Sequence, residues 1–376
     1  MKSTYFLLLI LLSLSCKREV SLIENGYGEP VFLSLTKVDI PIDSVTINSY
    51  DRLSTYTHDN DNYILAYNYK THALDNFNVN KQTVSHIELM HEGSDGINEI
   101  QGFHAHSADS IRIYGTNNII SLIDSTGKVK ERINIPSLNN GVSFVMTNFS
   151  ICTSKLFYNS DRNSLFFLTL SVRNEKNSFF VTELSLPDYS TKTYPVNTIT
   201  EKDFRNDYGW KQAPNVTYTN KTIIYNFPVE SNIYVINIES GKTSIHGGKS
   251  RHTSNEVSKL KTNFDMPEGE RHINENVHFF DILHDPLKNI YYRLHLDRIE
   301  YNAQTDFRTL YLSKDIYLMV YNEKFEVINE TKLDSRKYNY FNCWGMLSNG
   351  LFIAKDNALN NDTDFEQFQI DIFNIK

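Results

Sequence analysis

Five times along this 376-residue chain, a strand-length segment, a three-residue turn and a second strand-length segment follow one another. The copies are residues 73–79, 80–82 and 83–89; 119–124, 125–127 and 128–133; 182–186, 187–189 and 190–194; 233–238, 239–241 and 242–245; and 317–321, 322–324 and 325–328. Each half alternates or runs apolar, and the turns carry Gly, Asn, Asp or Ser, where a positive φ costs little. Between the hairpins lie single strand candidates at 62–67, 110–114, 164–170, 221–227, 289–294 and 350–354. One lone strand plus a hairpin, with room for another strand, matches a propeller blade of four antiparallel strands. Known blades take about 40–50 residues; six copies here run slightly longer, with insertions around 247–271 and 296–308 holding the excess. The reading is an all-β chain forming a six-bladed β-propeller. Seven blades is the nearest rival and β-sandwich repeats the alternative.

A ring needs a seam. Residues 30–35 and 365–373 can pair an N-terminal strand with the last blade. No Pro-, Gly- or Ser-rich linker interrupts the span between them, so residues 30–376 read as one domain. The 23 Tyr and 23 Phe favour strands over helices. A net charge of -8 with acidic and basic residues well mixed excludes the basic stripe of a nucleic-acid binder. Cys152 and Cys343 lie far apart with no CxxC spacing; they read as two buried thiols, although an exporting compartment would permit a disulfide.

The first residues are of another kind. Lys2 gives a positive start, residues 5–14 are nearly all apolar, and Ser15 precedes Cys16. This is the pattern of a cleaved signal peptide. The apolar run is shorter than the roughly 20 residues that span a bilayer, and Lys17, Arg18 and Glu19 end it. A cysteine directly after the small residue makes it resemble a bacterial lipoprotein signal, although Ser13 stands where an aliphatic residue is usual. The division expected is a signal peptide at 1–15, a lipidated tether at 16–29 with the acyl chains on Cys16, and the propeller at 30–376. Two or more acyl chains hold a protein on a membrane without a spanning helix.

Several segments resemble one family. Residues 92–97 (Glu-Gly-Ser-Asp-Gly-Ile), Phe103, residues 109–111, the turn at 123–128 and the stretch 283–293 are similar to the uncharacterised propeller-type lipoproteins of Bacteroidota. That family is a domain of unknown function. The resemblance implies a fold and a place on the cell envelope, and it carries no catalytic residues.

Candidate sites are scattered. His104 and His106, with Asp109 near, form a His-x-His pair, but a closed zinc site needs four ligands and a surface strand explains the pair as well. His272, His278, His284, Asp281 and Asp285 form a looser cluster in which two carboxylates could divide acid and base roles, against an ordinary Asp285-Pro286 turn. Tyr291, Arg293 and His295 share one face of a strand. Facing a channel, the Arg293 fork would bind an anion or a sugar; the rival is a charge pair inside the ring. Asp207-Tyr208-Gly209-Trp210-Lys211 sets two aromatics and a lysine in a loop, suited to ligand stacking or to plugging the next blade. No GxSxG, HExxH or GxxxxGK occurs.

The ligand-binding residues expected are therefore Arg293, His295, Tyr291, Tyr208 and Trp210, with no catalytic residue, metal or cofactor. The function expected is a binding or scaffolding module, lipid-anchored to the bacterial outer membrane, facing a glycan, a peptide or an envelope protein. A glycan hydrolase or lyase is the alternative. Nothing in the sequence sets an oligomeric state.

Overall fold

The computed structural model describes residues 22–115, 119–135, 142–144, 156–173, 176–199, 202, 207–211, 213–261, 263–340 and 343–376. Six antiparallel sheets follow one another around an axis. The first is β2 (Leu53–His58), β3 (Asp61–Asn68), β4 (Ala73–Asn78) and β5 (Thr83–Glu88), in that order. The second is β6 (Gly102–Ser107), β7 (Ser110–Tyr114), β8 (Ile119–Ile123) and β9 (Val129–Asn134). The third has β12 (Ser164–Arg173), β13 (Lys176–Ser185) and β14 (Thr191–Val196), with both β10 (Val142–Phe144) and β11 (Leu156–Asn159) paired to β12. The fourth is β15 (Asn215–Tyr218), β16 (Thr222–Asn226), β17 (Ile233–Asn237) and β18 (Thr243–His246). The fifth is β19 (His278–Asp285), β20 (Ile290–Leu296), β21 (Ile316–Tyr321) and β22 (Val327–Leu333). Cys16 and Cys152 lie outside the described residues, and Cys343 is fully buried.

The sixth sheet closes the ring. It contains β23 (Trp344–Leu347), β24 (Gly350–Ala354) and β25 (Gln367–Ile375), and β1 (Leu33–Pro41) adds to β25 along nine residue pairs, from Leu33 opposite Ile375 to Pro41 opposite Gln367. This is the seam expected from the sequence, and the blade count is six.

All five sequence hairpins form, as the third and fourth strands of the first five sheets. The residue that leads into each outer strand has a positive φ: Gln82 (54°), Gly127 (79°), Tyr189 (56°), Gly241 (68°) and Phe325 (60°). A type I turn followed by one left-handed residue is the usual three-residue hairpin link. Only two of the five positions are glycine, so the turn geometry is imposed by the ring as much as by residue preference.

Blades stand radially, so both faces of every sheet are covered by neighbouring blades. Hence β20, β21 and β24 are buried at every position, and β21 and β24 read as continuous apolar runs. Only the innermost strands reach the axis. Ser54, His104, Phe157, Thr217, Leu283 and Met346, one from each blade, line a central channel cavity of about 150 Å³.

Among the described residues two helices interrupt the pattern: α1 (Met266–Asn274) before β19 and α2 (Phe307–Leu312) between β20 and β21. Among the described residues no helix is long and apolar enough to cross a membrane. The described part of the segment before β1 is not loose. Ile23 donates its amide to Asn232 Oδ1 (2.9 Å), Asn25 bonds the Lys249 carbonyl (2.6 Å), and the Gly28 and Val31 amides bond the Val327 and Ile328 carbonyls of β22.

Candidate functional site

A cavity with a largely apolar lining opens at the end of the ring where the innermost strands begin. Its volume is about 350 Å³, within the usual range of small-molecule sites. Ser49, Lys211 and Asn339 precede β2, β15 and β23, and His278 is the first residue of β19. Asp356 and Asn357 follow β24, so they arrive at the same end by the antiparallel return. The two insertions supply the apolar walls: Ile273 from α1, and Phe307, Tyr311 and Leu312 from α2.

Each wall is fixed locally. Asp265 caps α1 by accepting from the Glu268 amide (2.8 Å), while the Glu268 carboxylate accepts from the Asp265 amide (3.2 Å), a reciprocal capping box. Asp306 caps α2 through the Thr309 amide (3.1 Å). Asn357 ties the end of α2 to blade six, donating to the carbonyls of Ser335 (2.9 Å), Tyr338 (3.1 Å) and Leu312 (3.3 Å).

Lys211 is aimed inward by the aromatic motif that precedes it. Tyr208 is buried and bridges to Leu260, and Trp210 meets Phe264 edge to face at 5.5 Å. A side chain at Gly269 of α1 would come within 2.8 Å of Trp210, so the helix seats directly on that ring. Gly209 takes φ 55°, and the Lys211 amide bonds back to Tyr208 (3.0 Å), closing a tight turn. Lys211 is 2 % exposed, and its ammonium donates to the Val277 carbonyl at 2.6 Å.

The polar groups on the pocket wall are under-supplied with partners. Burial pushes Lys211 down to about 7, with no carboxylate offsetting it. Burial holds His278 well below the ordinary imidazole range, and the Lys211 and Lys314 charges push it further; its Nε2 is buried with no protein partner. Lys314, behind it, donates to the carbonyls of Ile273 (2.8 Å) and Asn276 (2.7 Å), and burial depresses it strongly too. On the blade-six wall, burial raises Asp356 despite hydrogen bonds from Ser49 and Asn339, and its Oδ1 has no protein partner. Such perturbed groups in an apolar cleft are a candidate binding or reactive site.

Of the residues singled out from sequence, His278 and Lys211 line this pocket, and the five expected ligand-binding residues go elsewhere. Tyr208 and Trp210 are packing residues of the loop that carries Lys211. Tyr291, Arg293 and His295 lie on β20, the second strand from the axis, and line neither the channel nor the pocket. Arg293 is fully buried between blades four and five, where its guanidinium donates to the Ser231 carbonyl (2.8 Å) and the Gly248 carbonyl and lies over Phe279. A side chain at Gly248 would sit 2.8 Å from that guanidinium, so glycine lets the loop close on it. His295 is held between Phe279 and Tyr317, with Glu330 at 3.6 Å, and Tyr291 stacks on Phe325 at 4.3 Å.

His104 faces Phe157 in the channel and His106 rests on Tyr158. Among the described residues no three His, Cys, Asp or Glu side chains converge as metal ligands. Asp285 caps a turn through the Leu287 (2.9 Å) and Lys288 (3.1 Å) amides. Three strand residues separate it from Asp281, a rise of about 13 Å along an extended strand, beyond the carboxyl spacing of glycosidases.

Comparison with known proteins bears on the fold. The family model described as a domain of unknown function, DUF4221, matches residues 30–332. A DUF4221 protein of Bacteroides vulgatus superposes with a TM-score of 0.76 at 17% identity, covering 92% of this chain and 98% of its own. A candidate exported protein of Bacteroides fragilis gives 0.57 at 12% identity, covering 93% and 98%. No curated protein matches the chain significantly in sequence.

Proposed function

The chain belongs to the DUF4221 family of unknown function, and from that premise we propose that it is a cell-envelope binding module that takes a small organic ligand into the pocket between α1, α2 and blade six. One observation carries the reading. A cavity of about 350 Å³ with apolar walls holds a buried lysine, an imidazole nitrogen and a carboxyl oxygen whose hydrogen-bonding capacity the protein leaves partly unused. Leaving buried polar groups unpaired is costly, about 1–3 kcal/mol each, so a ligand that completes them gains affinity. The central channel offers less than half that volume.

The location rests on the sequence. A charged start, a short apolar run and Ser15-Cys16 support export followed by lipidation of Cys16, with the membrane reached through that lipid. The name of the Bacteroides fragilis neighbour agrees with export. A lipid on Cys16 and the outer membrane as its site are part of the proposal.

The test is a thermal-shift screen of envelope-derived small molecules on the wild-type domain and on Ala358→Trp. Ala358 is exposed at the pocket mouth, so tryptophan there obstructs access with little damage to the core. Stabilising compounds should lose their effect in the variant. Compounds that stabilise both proteins equally would place the site elsewhere, and steady product formation would replace binding with catalysis.

A further inference from the structure

We propose that the ligand is an apolar-bodied carboxylate whose charged end is held by Lys211 and His278. This inference rests on the pocket reading and names its ligand class.

The argument starts from what the pocket lacks. Lys211 carries three potential donors and has one acceptor, the Val277 carbonyl at 2.6 Å. His278, 2 % exposed, presents an Nε2 with no partner. The third basic group nearby, Lys314, already bonds two carbonyls and faces away from the cavity lining. These basic groups share one wall, and no carboxylate there pairs with Lys211. The apolar part of the lining is Ile273, Phe307, Tyr311 and Leu312, with the Phe307 and Tyr311 rings 6.0 Å apart.

A ligand that satisfies both halves must end in an acceptor-only group and continue as hydrocarbon or an aromatic ring. A carboxylate fits. It supplies lone pairs to the two unused donors of Lys211 and to His278 Nε2 in the neutral tautomer that carries its proton there, and a charge-assisted bond in a dry pocket is stronger than a neutral one. A cationic head would face Lys211 and the exposed Arg308 at the mouth. The acidic groups on the lining are Tyr311, whose phenol burial keeps protonated, and Asp356 on the blade-six wall; burial favours the protonated form of Asp356 too, which weakens its repulsion of an anion.

The bound charge has a consequence for protons. Lys211 is easily deprotonated when the pocket is empty, and a carboxylate beside it restores its charged form. Binding therefore takes up a proton above neutral pH. That signature does not depend on any mutant.

The experiment uses the wild-type domain and three isosteres: 4-phenylbutyrate, 4-phenylbutanol and 4-phenylbutylamine. The carboxylate should bind about tenfold or more tightly than the alcohol, and the amine most weakly. Calorimetry at pH 8 in buffers of different ionisation enthalpy should show net proton uptake for the carboxylate and none for the alcohol. In Lys211→Met the carboxylate preference should collapse while the alcohol still binds. Equal affinity for acid and alcohol without proton uptake would overturn the carboxylate assignment and leave the pocket standing. No binding of any of the three, or binding unaffected by Ala358→Trp, would remove the pocket reading itself.

Discussion

Replacing Lys211 by methionine should stabilise the protein at neutral pH, and the gain should vanish as pH rises. Burial lowers the Lys211 ammonium from 10.5 to about 7. The unfolded chain keeps that proton to about pH 10, so between those limits the unfolded state binds more protons and the stability of the parent rises with pH. With those two values, burying Lys211 costs about 4 kcal/mol at pH 7 and about 2 kcal/mol at pH 9. Methionine keeps most of the side-chain volume and removes the charge. It also removes the donor to the Val277 carbonyl, a loss of about 2 kcal/mol. The net expectation is a variant about 2 kcal/mol more stable at pH 7 and near parity at pH 9. Urea unfolding followed by tryptophan fluorescence at pH 7, 8 and 9 measures it, because contributions from the surface lysines cancel in the difference, while the release of Lys314 from the Lys211 charge adds to the gain at neutral pH. A difference that stays flat across this range, or a variant destabilised most at pH 7, would refute the claim that Lys211 sits uncompensated.

Three further outcomes follow from the same structure. Deleting residues 365–376 removes β25, which joins β24 to the closing strand β1; the chain should lose its cooperative melt, whereas melting at the parent temperature would mean the seam is dispensable. Arg293→Ala strands the Ser231 and Gly248 carbonyls in a dry interblade space and should cost about 3 kcal/mol or more in urea unfolding, with carboxylate binding intact if the variant folds. Cys16→Ser should abolish acyl labelling and shift the protein out of the membrane fraction; unchanged labelling would remove the proposed anchor.

The hairpins, the seam and the blade number were legible because they depend on local periodicity and turn chemistry. Residues 317–328, for instance, announce β21 and β22 by themselves. The site was not legible for a physical reason. Arg293 and His295 alternate correctly on β20, but alternation names a face and not what covers it. In radial blades both faces of a second strand meet neighbouring blades, so an arginine there is an interblade clamp. The pocket instead draws Lys211, His278, Phe307 and Asp356 from four separate connections, and no spacing in the chain brings these together. Its sequence traces were His278, read as one member of a loose His/Asp cluster, and the Tyr208-Gly209-Trp210-Lys211 motif, where the aromatics attract attention and the lysine is the residue that lines the cavity.

The most direct test of the account is a crystal structure of the wild-type domain soaked with 4-phenylbutyrate. The account predicts the ring against Phe307 and Tyr311 and the carboxylate within hydrogen-bonding distance of Lys211 Nζ and His278 Nε2. A ligand seated in the central channel, or an empty pocket at saturating concentration, would contradict it.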